Sequence, residues 1–216
     1  MKLLTKIYAA LWLVSFSAYS QTDVQNWYGS SLTLNLKKKW EVSGQYRLRI
    51  IDNISTYRGS YFYLQTDKKF SKHFSMFTSY RLALVDNGNF HRFAVGASAQ
   101  TKFKDFALEF RPMIQYQSQQ FKGDDEQKEG VSSYLRPRGR IKYSPSKKWD
   151  LYMYSEPFVG LHNAKLDWWQ NSIGLKYAIT KKIKINPYYI WQPDYSKRNF
   201  RTNHIIGFDL EFEVKP

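Results

Sequence analysis

Apolar and polar residues alternate with a period of two over most of this chain. From Trp40 to Ile50, one set of alternate positions reads Trp, Val, Gly, Tyr, Leu, Ile, and the other reads Glu, Ser, Gln, Arg, Arg. A β-strand points successive side chains to opposite faces. The segment therefore predicts a strand with one apolar face and one hydrated face.

The same alternation recurs and predicts about eleven strands. It is clear in Phe74 to Val85, Arg92 to Phe103, Phe106 to Gln117, Leu135 to Tyr143, Trp169 to Ile179 and Ile206 to Val214. It is weaker in Trp27 to Leu36, Arg58 to Phe70, Trp149 to Leu161 and Ile183 to Trp191. Short lysine-rich connections alternate with longer polar ones, as in outer-membrane proteins. The sequence predicts an all-β, antiparallel up-and-down transmembrane β-barrel of about 10–12 strands, with short periplasmic turns and longer extracellular loops.

The number of strands raises a question of parity, because single-chain bacterial barrels normally have an even number. If the lysine-rich turns face the periplasm, the strand that contains Trp27 begins at the outer rim. Two explanations stay open at this point. Either that strand is not a full member of the barrel, which gives about ten strands, or one strand is missing from the pattern, which gives about twelve.

The composition favours a membrane barrel over a soluble lipocalin-like barrel. Aromatic residues make up 18% of the chain, although its mean hydropathy is only −0.58. A small dry interior would pay several kcal/mol for each unpaired ion on the charged face, whereas a hydrated lumen tolerates such ions. Tryptophans near predicted strand ends are expected to form the aromatic girdles of the bilayer interface, namely Trp27, Trp40, Trp149, Trp168, Trp169 and Trp191.

The first residues have the features of a secretory signal peptide. Lys2 and Lys6 provide positive charge, Ile7 to Phe16 is apolar apart from Ser15, and Ala18-Tyr19-Ser20 forms a small-x-small cleavage site. The apolar run is shorter than the roughly 20 residues of a membrane-spanning helix. We predict a cleaved signal peptide over residues 1–20 and a single barrel domain over residues 21–216, located in the bacterial outer membrane. An uncleaved N-terminal anchor is the alternative.

The formal net charge of +15 permits a nucleic-acid binder as another class of protein. Two features argue against it: the chain carries an export signal, and its basic residues are spread along the sequence instead of forming one patch. Lysines at the turns are better explained by contact with anionic lipid head groups. We therefore expect outer-membrane lipid, and not nucleic acid, as a partner.

The last strand suggests a second partner. Gly207 to Phe212 has a glycine followed by hydrophobic residues that alternate up to an aromatic one, which resembles the assembly signal of outer-membrane barrels. The segment departs from that signal because Glu213 to Pro216 follow the aromatic residue. We expect this strand to engage the barrel-assembly machinery.

The chain resembles an uncharacterised family of small bacterial outer-membrane β-barrels, grouped as a domain of unknown function. The resemblance depends on the early Trp27, on Lys38-Lys39-Trp40 leading into a strand with Tyr46-Arg47-Leu48-Arg49, and on His91-Arg92-Phe93 after a polar loop. It extends over nearly the whole mature chain. It implies an outer-membrane location and transfers no catalytic residues.

The hydrated faces of the strands carry many charges, which we expect inside the barrel. The predicted lumen-facing charge ladder is Arg47, Arg49, Arg111, Arg136, Arg138, Arg140, Lys142, Glu109, Glu156, Asp209 and Glu211, and Arg81, Arg92, Lys176, Lys184, Glu41 and Glu213 are predicted to point inward as well. One hypothesis is a salt-bridged interior that stiffens a narrow barrel. The other is a small passive pore that favours anions, with Arg136, Arg138, Arg140 and Lys142 as its best candidates.

A barrel enzyme that acts on membrane lipid at the outer rim is the competing class. It would need a serine within hydrogen-bond reach of a histidine. The histidines are His73, His91, His162 and His204, and the serines predicted near that rim are Ser60, Ser132 and Ser133, with no spacing that links the two sets. The sequence shows no metal-binding cluster and no glycine-rich phosphate loop, so no cofactor is predicted.

Overall fold

The computed structural model of the protein describes residues 21–86, 88–121, 130–196 and 201–214. The predicted signal peptide, residues 1–20, lies outside these ranges. Within them, the chain forms eleven strands: β1 (Gln21–Asn35), β2 (Trp40–Ile51), β3 (Thr56–Lys69), β4 (Phe74–Val85), β5 (Gly88–Phe103), β6 (Phe106–Phe121), β7 (Gly130–Ser146), β8 (Trp149–Gly160), β9 (Leu166–Ala178), β10 (Ile183–Asp194) and β11 (Arg201–Val214). A single turn of 3₁₀ helix, Lys37–Lys39, joins β1 to β2. No helix in the described part of the chain is long and apolar enough to cross a membrane.

The strands close into one barrel, which confirms the predicted all-β barrel fold. Neighbours in sequence pair antiparallel, and β1 closes the barrel by pairing parallel to β11, from Gln21 beside Arg201 to Leu34 beside Val214. Both explanations of the parity problem were wrong, because β1 is a full member and the described ranges contain no further strand. A parallel closing pair is what allows an odd number of strands to form a closed barrel.

The connections define two rims. The short-turn rim carries the links at residues 36–39, 70–73, 104–105, 147–148 and 179–182. The opposite, long-loop rim carries the links at 52–55 and 161–165, together with the ends of β4, β6 and β10 and the starts of β5, β7 and β11. Because β5 begins at Gly88, the link between β4 and β5 is shorter than the sequence predicted. The parallel pairing also places the start of β1 at the long-loop rim and the end of β11 at the short-turn rim.

The outer face of the barrel is apolar and exposed, as the period of two predicts. Large side chains on this face keep about half of their surface accessible, for example Leu64 (52%), Phe93 (55%), Ile114 (52%) and Ile173 (58%). The buried residues of the same strands include polar and charged ones such as Gln115 and Glu156. The barrel therefore keeps its charges inside and presents its hydrophobic surface outward.

Large inward side chains face glycines on the neighbouring strand. Tyr188 stands directly opposite Gly207, Tyr152 opposite Gly174, and Phe77 opposite Gly96, as shown by the strand register. In each pair the ring lies across the glycine, so a Cβ atom added there would overlap the ring. The narrow interior is thus filled by large side chains, each of which lies over a glycine of the neighbouring strand.

Two tryptophans that were assigned to the membrane girdles lie instead in the interior. Trp27 is only 5% exposed and packs with Tyr188, Ile190 and Ile205. The cause is the register of β1, whose alternation points Asp23, Gln25 and Trp27 inward.

Trp168 likewise lines the cavity, where it packs with Tyr134 and Phe158. The other four tryptophans, Trp40, Trp149, Trp169 and Trp191, are exposed. The interior is therefore more aromatic than a simple hydrated lumen.

A β-bulge in the β2–β3 pair alters the lining near the long-loop rim. The register shifts between Arg49 and Ile50, so Arg58 has no direct partner on β2, and Arg58 lines the cavity. Gly59 at the bulge has a φ of +152°, and a Cβ there would overlap the carbonyl oxygen of Leu84. Only glycine fits this conformation and this close approach.

Candidate functional site in the barrel bore

The interior of the barrel contains a cavity of about 790 Å³. Among the described residues, ten arginines and one lysine line it, against three carboxylates, those of Asp23, Glu156 and Asp209. Glutamine, asparagine and tyrosine side chains fill much of the remaining wall. The bore is therefore polar and carries a large excess of positive charge.

Most residues of the predicted charge ladder line this cavity, namely Arg47, Arg49, Arg111, Arg136, Arg138, Arg140, Glu156 and Asp209. The remaining three, Lys142, Glu109 and Glu211, form ion pairs with Asp150, with Arg138 and Arg140, and with Lys176, respectively.

Sequence reasoning missed Asp23, Arg58 and Arg201, which also line the cavity. Asp23 lies on the same face of its strand as Trp27, but the sequence predicted that this strand begins only at Trp27. Arg201 likewise precedes the predicted start of the last strand, and Arg58 is turned inward by the bulge.

Most charges in the half of the bore near the short-turn rim are paired; Arg111 instead donates a hydrogen bond to the Gln65 side-chain oxygen at 2.7 Å. Glu109 binds Arg138 at 3.5 Å and also Arg140, and Lys176 binds Glu211 at 2.7 Å. Further pairs in this half are Lys142 with Asp150, Lys184 with Glu213, and Lys69 with Glu41. Cations and carboxylates are close to balance here, as the hypothesis of a salt-bridged interior requires.

Two buried carboxylates hold the middle of the bore. Glu156 is 2% exposed and forms an ion pair with Arg136 at 3.0 Å. The Arg136 guanidinium also lies over the Phe158 ring, 3.9 Å from its centre. Asp209 binds Arg47 at 2.8 Å. Glu109 and Glu156 thus bind Arg136, Arg138 and Arg140, the three arginines that the sequence singled out for anion selection, and offset two of their three positive charges.

Arg49, Arg81 and Arg92, called here the arginine trio, lie closer to the long-loop rim and differ from the ion-paired arginines of the bore. No carboxylate of the described chain lies within 4.0 Å of their guanidinium nitrogens. Arg81 and Arg92 are directly opposite each other in the β4–β5 ladder. The trio, together with Arg58 and Arg111, which also line the cavity without an ion pair in the described structure, therefore carries the excess positive charge of the bore.

Aromatic rings and an amide hold the trio in place. The Arg49 guanidinium lies between Trp27, at 3.7 Å, and Tyr61, at 4.0 Å. Arg81 lies on the same Tyr61 ring at 5.3 Å.

Arg92 donates two hydrogen bonds to the Gln117 side-chain oxygen, from Nε at 3.2 Å and from Nη2 at 2.9 Å. These contacts fix the three side chains without neutralising them.

An ion pair network ties β1 to the long-loop rim. Asp23, 2% exposed, binds Arg201 at 3.1 Å and accepts a hydrogen bond from the backbone N–H of Asn53 at 2.9 Å. Arg201 also reaches Asp52 at 3.5 Å. This network joins the first strand, the β2–β3 loop and the last strand at the mouth of the bore.

The histidines considered for an enzyme make other contacts. His91 pairs with the Tyr80 hydroxyl at 2.8 Å, His204 with the Tyr189 hydroxyl at 2.6 Å, and His73 with the Gln100 carbonyl at 3.0 Å.

On the serine side, Ser60 bonds to the hydroxyls of Tyr46 and Tyr57. Across the described ranges, no hydrogen bond joins Ser60, Ser132 or Ser133 to a histidine. The same ranges contain no group of three or more potential metal ligands from His, Cys, Asp and Glu.

A family model described as "Protein of unknown function (DUF2490)" matches residues 24–203. The chain belongs to the DUF2490 family. This match confirms the resemblance to an uncharacterised family. A comparison with curated protein sequences found no match.

Solved structures with a similar fold are outer-membrane barrels. A NanC porin structure is 14% identical, with a TM-score of 0.53, and the match covers 78% of this DUF2490 chain and 86% of the porin. A bacterial polysaccharide outer membrane secretin is 8% identical, with a TM-score of 0.51, and the match covers 79% of this chain and 73% of the secretin. A KdgM porin in complex with disordered oligogalacturonate is 13% identical, with a TM-score of 0.49, and the match covers 79% of this chain and 88% of that porin. At these identities, the likeness concerns the fold of the DUF2490 chain.

Proposed function

We propose that this chain is an outer-membrane β-barrel without a catalytic role that forms a small passive pore favouring anions. The observation that carries the proposal is the lining of the bore, where ten arginines and one lysine face only three carboxylates among the described residues. Rings of arginine and lysine attract anions and repel cations, which is how charged pores select. A mobile anion is attracted most strongly where the arginines are not already paired with a carboxylate of the protein, as at the arginine trio.

The outer face supports a membrane location. Large apolar side chains are exposed all around the barrel, and soluble monomers rarely expose contiguous apolar patches of more than a few hundred Å². The aromatic pairs Phe106–Tyr143 and Phe70–Phe74 and the residues Trp40 and Trp149 lie beside the short-turn rim. Such residues are typical of the bilayer interface.

The proposed partners follow from the same location. Lys68 lies 4.7 Å from the Trp40 ring at the short-turn rim, where a cation also meets lipid head groups. We propose that outer-membrane lipid surrounds the barrel and that the barrel-assembly machinery recognises the segment Gly207 to Phe212. This segment belongs to β11, one side of the closing pair.

The membrane location is tested by fractionation. We expect the protein to partition with the outer membrane, and an unheated sample in detergent to migrate differently from a boiled one on a gel, because a closed barrel keeps its hydrogen-bonded strands until it is heated. Recovery in the soluble fraction without a heat-dependent shift would mean that the barrel is the soluble, lipocalin-like alternative.

Anion preference is tested by single-channel recording in a planar bilayer with a steep KCl gradient. We expect a reversal potential of the sign that marks anion flow, and a clear loss of this preference in the Arg81→Gln/Arg92→Gln double variant, because two uncompensated charges leave the bore. The Lys184→Gln/Glu213→Gln variant is the matched control, since it removes one ion pair outside the cavity lining and leaves the net charge unchanged. A cation-selective pore, or a folded barrel without conductance, would contradict the proposed function.

A further inference from the structure

The arginine trio has positive charges without a carboxylate partner and hydrogen-bond donors without an acceptor in the described structure. Like charges directly opposite each other on neighbouring strands destabilise a sheet, and Arg81 and Arg92 form such a pair. In addition, the buried Nε atoms of Arg49 and Arg81 have no hydrogen-bond partner in the described structure. A folded interior retains such an arrangement at a cost unless a ligand completes it.

Space for a ligand is available beside these guanidinium groups. Ser79 and Ala94 face each other in the β4–β5 ladder, one pair below Arg81 and Arg92 on the inward face, and both line the cavity. Arg49, Arg81 and Arg92 line the same cavity and each keeps part of its surface accessible, so a solute in the bore can reach them.

We infer that the arginine trio is a binding site for the oxyanion group of a soluble solute, such as a phosphate, sulfate or carboxylate group. This inference rests on the proposed function, because it requires a bore that admits solutes, and it adds the place and the ligand chemistry. Guanidinium groups present a planar fork of N–H donors that binds two oxygens of one anion at once. Arg49, held flat between Trp27 and Tyr61, is already oriented for such binding and loses little side-chain entropy.

Arginines that are bound to a carboxylate are less suited to hold a solute. Arg136 is bound to Glu156, and Arg138 and Arg140 are bound to Glu109, so an incoming anion would have to displace a fixed carboxylate. At the trio, no such displacement is needed. The site lies toward the long-loop rim, where Arg201 pairs with Asp23.

The test is a titration of the purified, folded barrel with inorganic phosphate in detergent, at constant ionic strength in NaCl. Calorimetry measures the binding, and tryptophan fluorescence reports on the site because Trp27 stacks on Arg49. We expect saturable binding with a fluorescence change that Trp27→Phe removes without abolishing the calorimetric signal. We expect Arg81→Gln/Arg92→Gln to weaken phosphate binding by at least about tenfold, since each lost charge-assisted contact is strong.

Two further variants make the result specific. Arg81→Lys keeps the charge and loses the planar fork, so phosphate binding should fall while the reversal potential stays close to that of the unchanged protein. Lys184→Gln/Glu213→Gln should bind phosphate as the unchanged protein does. A heat-dependent gel shift shows that each variant is folded, and Arg92→Gln alone replaces the double variant if the latter fails to fold.

The outcomes separate the two proposals. Absence of saturable binding in a barrel that still conducts anions overturns the oxyanion site and leaves the pore standing. Equal loss of binding in the Lys184→Gln/Glu213→Gln control also overturns the site, because the trio would then have no special role. Absence of any conductance, with binding retained, overturns the pore and supports the trio as an oxyanion site in a bore that admits solutes from one rim without letting them pass through.

Discussion

Replacing Glu156 with glutamine is expected to lower the free energy of unfolding by about 3–5 kcal/mol, because it breaks a buried ion pair and leaves a cation without compensation. Glu156 is 2% exposed, and Arg136 lies 3.0 Å from it. Loss of this one carboxylate leaves the Arg136 guanidinium without its ion-pair partner in the middle of the bore.

The measurement is reversible urea unfolding in lipid vesicles, followed by tryptophan fluorescence. Glu156→Gln/Arg136→Met should recover part of the loss, because a double substitution removes the orphaned charge together with its partner. The control is Glu41→Gln, whose partner Lys69 is 49% exposed, and it should change the free energy of unfolding by at most about 1 kcal/mol. Equal effects for Glu156→Gln and Glu41→Gln would show that burial of the pair is not what stabilises the barrel.

The period of two was sufficient to predict the two faces of the barrel. It separated Phe93 and Val95 from Arg92, and Leu108 and Phe110 from Glu109, and the structure has the same separation. This works because the outside and the inside of a barrel are chemically different along every strand. The alternation therefore records the environment of each residue and requires no knowledge of its neighbours.

Pairing between distant strands could not be predicted in this way. The parallel contact of β1 with β11 joins residues at opposite ends of the chain, and an alternating pattern is equally compatible with either direction of pairing. Trp27 illustrates the consequence. Its position near a strand end is typical of a girdle residue, but the register of β1 turns it toward Arg49 and away from the membrane.

The charges of the bore show the same limit. The sequence predicts which arginines point inward, but which of them are neutralised depends on register and on side-chain reach. Arg140 stands directly opposite Glu109 in the β6–β7 ladder, whereas Arg81 stands opposite Arg92 in the β4–β5 ladder. Only the assembled barrel distinguishes the paired Arg140 from the unpaired Arg81, although both were predicted to face the lumen.

Replacing Gly207 with alanine is expected to destabilise the barrel by about 1–3 kcal/mol, the usual cost of overpacking a well-filled interior. The Tyr188 ring lies across Gly207, and the added methyl group would overlap it. The ring cannot move without cost, because it packs with Trp27, Ile190 and Ile205. Since Trp27 in turn stacks on Arg49, the strain is transmitted toward the arginine trio.

Urea unfolding of Gly207→Ala and Gly139→Ala provides a matched comparison. Gly139 has no heavy atom within 4 Å of an added Cβ, so its variant should differ from the unchanged protein by no more than about 0.5 kcal/mol. Tyr188→Leu should cost less in the Gly207→Ala background than alone, because the smaller side chain makes room for the methyl group. If the two costs were simply additive, Tyr188 would not be the residue that makes glycine necessary at position 207, and the pairing of large side chains with glycines would not explain how this narrow bore is filled.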